Sequence, residues 1–145
     1  MAYDSDNIFA RILRGEIPAV KVYEDTETLA FMDVMPQAPG HTLVIPKAAA
    51  ENIFELSVDA GAAVMRTVQI VAPAVRNAMG ADGIMLNQFN GPAAGQTVFH
   101  FHVHIVPRFD GVPLRQHGSG MEQPDVLEGH ATKIRAALSA IDDSH

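Results

Sequence analysis

The chain has 145 residues, 48% hydrophobic and 19% charged, a length and make-up that fit one globular domain and exclude a disordered chain. Its formal net charge is -7 and its lysines and arginines are scattered, which disfavours nucleic acid as a main partner but leaves room for a small anion held by backbone amides. Cysteine is absent, which excludes disulfides and thiolate-ligated zinc.

The first residues are acidic, without a basic or apolar stretch, so no signal peptide is expected. No apolar run is read as approaching the roughly 20 residues of a membrane span, and a soluble cytoplasmic protein is the expectation. In chain order, Asp6 or Asn7 is placed to cap a short helix with the apolar face Ile8, Phe9, Ile12 and Leu13, ending at Gly15. Residues 20–23 and 29–33 read as strands joined by a polar turn, and the Pro-Gln-Ala-Pro-Gly turn at 36–40 feeds a third strand, 41–45. Ser57 reads as the cap of a long helix reaching Met79, with Gly80 just past its end and Val64, Val68, Val71 and Val75 at helical spacing. Pro73 inside that helix predicts a kink or an early break, since a mid-helix proline costs about 3 kcal/mol. Then follow a strand over 83–89, a loop over 90–96, a strong strand over 97–106 and a polar irregular stretch over 108–124. A last helix covers roughly 125–141, with Leu127, Ile134, Leu138 and Ile141 on one side. With no repeat and no linker, the pattern predicts a single α+β domain, 1–145, built on an antiparallel sheet.

The chemistry concentrates in His100-Phe101-His102-Val103-His104-Ile105. A strand sends successive side chains to opposite faces, so His100, His102 and His104 share one face while Phe99, Phe101, Val103 and Ile105 enter the core behind them. Imidazoles so close together stay mostly neutral or face an anion. Three readings compete at this point. One is a set of surface histidines that happen to alternate. A second is a zinc site, with His41 supplying a ligand from another element, because same-strand histidines lie along a line and a tetrahedral ion wants converging ligands. The third is phosphate chemistry. The preceding loop favours the third: its small residues let a phosphate approach backbone N–H groups. Asn90 and Gly95 belong to that loop, Gln96 shares the parity of the histidines and adds an amide, and Thr97 adds a hydroxyl. Arg108 reads as a solvated surface charge.

His100-Phe-His102-Val-His104-Ile-Val106 resembles the histidine triad (HIT) pattern, His-φ-His-φ-His-φ-φ with φ apolar, and Gly95-Gln96-Thr97-Val98 is similar to the segment that precedes it. The resemblance extends upstream through Ile8-Phe9, Glu16-Ile17-Pro18-Ala19, Leu29-Ala30-Phe31-Met32-Asp33 and Pro36-Gln37-Ala38-Pro39-Gly40-His41, segments that look like the Hint branch. It covers about residues 6–108. Beyond Arg108, over 109–145, the chain departs from the eukaryotic Hint pattern, has no Trp, and looks more like the bacterial type. Some bacterial members carry zinc on a cysteine pair near the N-terminus; here the matching stretch is Asn7-Ile8-Phe9-Ala10, so that site is missing.

The resemblance implies a homodimer with a combined sheet and hydrolysis of purine nucleoside phosphoramidates or related adenylylated compounds at the α-phosphate, with AMP as the recognised moiety. It implies His102 as the nucleophile that forms a transient nucleotidyl-histidine, His41 and His100 as supporting histidines, and His104 at the phosphate or leaving group. It also implies Asp33 at the ribose hydroxyls and a base pocket of Ile8, Phe9, Ile17, Phe31 and Val34. Asp33 read alone also suits a strand-end turn. No metal or cofactor is required if backbone amides, Gln96 and His104 stabilise charge on the phosphoryl oxygens. The unprotonated nitrogen of His102 would be set by its other nitrogen donating to a fixed backbone carbonyl. A dinucleoside polyphosphate hydrolase and a nucleotide-binding or scaffold protein with residual activity are the alternatives.

Overall fold

The computed structural model describes residues 3–116 and 120–143. Residues 117–119 of the expected irregular stretch, and 1–2 and 144–145 at the ends, lie outside the described residues. The elements are α1 (Ile8–Leu13), β1 (Lys21–Glu24), β2 (Thr28–Met32), β3 (Thr42–Pro46), α2 (Val58–Met79), β4 (Gly83–Asn87), a 3-10 turn (Pro92–Ala94), β5 (Val103–Arg108) and α3 (Pro124–Asp143). The strands form one antiparallel sheet in the order β1-β2-β3-β5-β4.

The sheet has two covered faces, as the full burial of β2 and β3 requires. On one face Ala30, Met32, Val44, Val103 and Ile105 meet Val64, Val68, Val71 and Val75 of α2 and Leu127, Ala131 and Ile134 of α3. On the other, Leu29, Phe31, Leu43 and Ile45 meet Phe9 and Ile12 of α1. Asn7 caps α1 by accepting from the Ala10 amide, and Ser57 caps α2 by accepting from Ala60. Gly80 closes α2 in the left-handed conformation. Gly40 sits at φ +87°, and a Cβ there would lie 2.5 Å from Met79 Cγ, so this turn can press against the end of α2 only as glycine.

Two expectations about α2 are corrected. Of the kink or early break expected at Pro73, the early break is absent: the helix is continuous from Val58 to Met79. Pro73 and Gln69 both lie on the solvent side, so water can satisfy the Gln69 carbonyl, while buried Val71, Ala74 and Val75 hold the other side to the sheet. The helix is also long and apolar enough to cross a membrane by length and composition, contrary to the reading that no run approaches a span. Its apolar stripe is the one packed on the sheet.

A third correction concerns the histidine strand. It runs from Val103 to Arg108, not over 97–106. Its partner β3 ends at Pro46, which has no N–H for a ladder, so residues 97–102 run beside 46–50 with one backbone bond, Phe101 N–H to Ala50 O at 2.8 Å. Phe99 is only half-buried and lies outside both core clusters, whereas Phe101, Val103 and Ile105 are buried as expected.

Candidate active site

Although His100 and His102 precede β5, their alternation with apolar residues persists. Phe101 and Val103 face the helices, and His100, His102 and His104 lie on the α1 side, all buried. Phe9 from α1 stands edge-on to His102, ring centroids 4.9 Å apart, and His102 stands 4.9 Å from His104. His41 joins them from the position just before β3, its Nε2 2.9 Å from His104 Nδ1.

The protonation pattern follows from which partners can only donate or only accept. The Gln37 backbone N–H donates to His41 Nδ1 at 3.0 Å, so the His41 ring proton is on Nε2 and is donated to His104 Nδ1. That leaves His104 with its proton on Nε2. The carbonyl of His100 only accepts, so His102 Nδ1, 2.7 Å away, carries the proton there, and His102 Nε2 is the unprotonated nitrogen. His100 donates from Nε2 to the Pro46 carbonyl at 2.7 Å. Its Nδ1 lies 2.5 Å from the Tyr3 hydroxyl, and because burial pushes the His100 ring below its ordinary value and keeps it neutral, Tyr3 is the donor.

Asp33 follows β2 and is buried beside this cluster. Its Oδ1 accepts from the Met35 amide at 2.8 Å, a local turn, and its Oδ2 lies 3.4 Å from His41 Nε2 and 4.0 Å from His104 Nδ1. Of the expected base-pocket residues, Phe9 and Phe31 are buried and 5.4 Å apart by ring centroids, and Ile17 packs on the same apolar cluster. Ile8 and Val34 are solvent-exposed, at 45% and 41%.

The loop over 90–96 departs from its expected role. Gly91 N–H donates to Gln96 Oε1, and the amides of Ala94, Gly95 and Gln96 donate to Gly91 O, Pro92 O and Gly91 O. These amides close on the loop itself through the 3-10 turn, with Gly91 and Gly95 at φ +92° and +99°, so they do not form an anion cradle. Gln96 is corrected likewise: Nε2 donates to the carbonyls of Glu51 and Val98, at 2.7 and 3.0 Å, so its hydrogens are engaged and it braces the loop. Asn90 accepts from the Ile53 amide through Oδ1 and exchanges hydrogen bonds with Gln88. Thr97 is exposed where the loop leaves toward the histidines, and Val98 packs on the α1-side cluster. Arg108 is only partly solvated: it is half-buried, with its Nε out of solvent and its Nη1 4.0 Å from Met85 Sδ.

Asp33, His41 and His104 bring three potential ligand atoms within 4.8 Å of one another. A cation does not fit them, because the His41 nitrogen that faces the group carries the ring proton fixed by Gln37. The N-terminal zinc position does not fit either. The Asn7 side chain is engaged with Ala10 N–H and Asp4 O, and the other residues of that stretch, Ile8, Phe9 and Ala10, offer no side-chain ligand. Tyr3, Gln37 and Pro46 are the residues that sequence reasoning missed. Pro46 and Gln37 act through backbone atoms, which no side-chain motif marks, and Tyr3 lies 97 positions from its partner.

The model of the HIT domain matches residues 14–111. "Protein hit" of Bacillus subtilis is 43% identical over 138 residues, 92% of this chain and 94% of that protein. "Adenylylsulfatase HINT3" of Arabidopsis thaliana is 40% identical over 72% of this chain and 53% of its own length. "Adenosine 5'-monophosphoramidase hnt1" of Schizosaccharomyces pombe is 38% identical over 81% of this chain and 82% of its own. Among solved structures, a Hit-like protein from Bartonella henselae superposes with a TM-score of 0.88 at 50% identity, covering 94% of this chain and 99% of that one. A Zn-bound histidine triad protein from Mycobacterium smegmatis superposes with a TM-score of 0.86 at 36% identity, covering 97% and 98%.

Proposed function

The chain belongs to the histidine triad family, and on that premise we propose that it is a nucleotide hydrolase or nucleotidyl transferase acting at the α-phosphate of purine nucleoside phosphoramidates or related adenylylated compounds, without a metal. The observation that carries this reading is the tautomer of His102. Its Nδ1–H is anchored on the His100 carbonyl, which leaves Nε2 with the lone pair that nucleophilic catalysis needs. Two relatives named for cleavage of adenylyl compounds support the substrate class.

In the first step His102 Nε2 attacks the α-phosphorus and the bond to the leaving group breaks. A phosphoramidate nitrogen that enters protonated departs with the bonding pair as the neutral amine. The positive charge left on the His102 ring strengthens its Nδ1–H bond to the His100 carbonyl. Water then attacks phosphorus, the histidine leaves as neutral imidazole, and the surplus proton passes to solvent. His104 presents Nε2–H and donates to a phosphoryl oxygen as charge develops there. The exposed Thr97 is a second donor, replacing the roles expected of Gln96 and the loop amides. The ribose hydroxyls are assigned to Asp33, and the base to the apolar slot of Ile8, Phe9, Ile17, Phe31 and Val34.

We also propose a homodimer that continues the sheet across β4. Among the described residues neither outer strand, β1 or β4, pairs with a further strand, but the two differ. β1 carries Lys21 and Glu24, and Arg135 Nε donates to the Lys21 carbonyl at 2.8 Å. β4, Gly-Ile-Met-Leu-Asn, has no charge to deter pairing and leaves Leu86 46% exposed.

Turnover of a fluorogenic adenosine phosphoramidate with and without a chelator tests the function. The expected result is turnover unaffected by the chelator and abolished in His102→Ala, which still binds AMP. Loss of turnover with chelator would assign the histidines to a metal, and tight AMP binding without turnover would make the protein a binding module.

A further inference from the structure

Resting on the reading of His102 as nucleophile, we propose that Tyr3 is a positioning residue for that histidine, acting through His100. The hydroxyl of Tyr3 donates to His100 Nδ1 at 2.5 Å, and the opposite nitrogen of the same ring donates to the Pro46 carbonyl at 2.7 Å. The ring is thereby fixed at both ends. The peptide carbonyl of this residue is the acceptor that sets the His102 tautomer, also at 2.7 Å. A displacement of the His100 main chain, which the bonds of its ring to Tyr3 and Pro46 resist, therefore moves the anchor of the attacking ring.

Tyr3 is itself held in place, although it lies near the N-terminus. Asp4 O accepts from both the backbone and the side chain of Asn7, at 3.2 and 2.7 Å, and Arg14 Nη1 donates to Ser5 O at 2.5 Å. These bonds tie the leader to α1, the helix whose Phe9 ring stands 6.5 Å from His100 and 4.9 Å from His102. One short segment thus presents an aromatic wall to the nucleophile and a hydroxyl to the residue behind it. Tyr3 and His100 also meet edge-on, with ring centroids 5.6 Å apart, so packing and hydrogen bonding are separable by substitution. Removing only the hydroxyl leaves the buried Nδ1 of His100 as an acceptor without a donor, a state that favours water entry and rotation of the ring.

The test is Tyr3→Phe in the full chain, compared with Tyr3→Leu, which removes the ring as well. Turnover of the adenosine phosphoramidate in Tyr3→Phe is expected to show kcat lowered by about three- to tenfold with KM within about twofold, because the attack geometry and not the nucleotide pocket is disturbed. Nitrogen-15 NMR of the ligand-free protein is expected to show the His100 Nδ1 signal moving toward that of an unbonded nitrogen. The share of His102 with its proton on Nδ1 falls with it. The proposal is overturned if Tyr3→Phe keeps wild-type kcat while Tyr3→Leu loses it, which would make Tyr3 a packing residue. It is equally overturned if kcat falls while both histidine signals stay in place. Because the spectra need no substrate, they decide the positioning role even where a wild-type protein without turnover would refute the functional reading.

Discussion

Backbone groups set the tautomers of the histidine cluster: the His100 carbonyl accepts from His102, the Pro46 carbonyl accepts from His100, and the Gln37 amide donates to His41. Such a cluster is sensitive to acid in a predictable direction. Burial holds His100 below the ordinary imidazole value of 6.5, so below that pH the unfolded chain binds a proton that the folded chain refuses. Stability is therefore full above about 6.5 and falls as the pH drops through it. His130, lowered by part-burial and by Lys133, adds to the same slope. Urea unfolding at about pH 7.5 and about pH 5.5 checks this, and His100→Gln should flatten the difference; equal stability at both would contradict a neutral buried His100. At Asp33, a 2′-deoxy substrate should lose about 1–3 kcal/mol in kcat/KM if the carboxylate holds the ribose, and equal values for the two sugars would leave Asp33 as a support for His41 alone. The sharing of one face by the three histidines was legible from alternation with Phe101, Val103 and Ile105. Donation from the His102 ring to a backbone carbonyl was expected too, but the tautomers of His100 and His104 were not legible, because the Pro46 carbonyl, the Tyr3 hydroxyl and the His41 ring that decide them are distant in sequence.

At the level of elements, the caps at Asn7, Ser57 and Gly80 stand where local chemistry puts them, since each satisfies a helix end with its own neighbours. The errors arose where tertiary context intervened. Pro73 is tolerated because its disrupted turn faces water, so Pro73→Ala should raise stability by about 1–3 kcal/mol in thermal or urea unfolding without altering activity. A loss of stability would show that the proline fits a bend the sheet requires. The histidine strand begins later than its β-branched and aromatic residues suggest because Pro46 ends the partner strand. Gln96 gives the sharpest contrast between expectation and structure. As a brace with its amide hydrogens on Glu51 and Val98, it should cost about 2–4 kcal/mol of stability when changed to Ala. A donor to phosphate would instead lower kcat/KM and leave stability unchanged.

Across the whole molecule, the histidine face depends on three separate parts of the chain. The α1 segment supplies Tyr3 and Phe9, the turn before β3 supplies His41 and its Gln37 donor, and the 100–104 stretch supplies the triad. The sheet order β1-β2-β3-β5-β4 brings them together by pairing Leu43 with His104 and Asn87 with His104. The C-terminal region closes on the same assembly: Arg115 N–H donates to Gln37 O and Glu122 N–H to Val34 O, both at 2.8 Å. If β4 pairs with a second copy, Leu86→Arg should shift sedimentation from twice 15.6 kDa toward the mass of one chain. An unchanged dimer would place the interface elsewhere. The central claim is that His102 carries the nucleotide during turnover. Mixing the protein with adenosine phosphoramidate, quenching in base and mapping peptides by mass should find an adenylyl group on His102 that acid removes and that His102→Ala lacks. An active protein with no adduct on His102 under any quench, or with the adduct on His104, would contradict it.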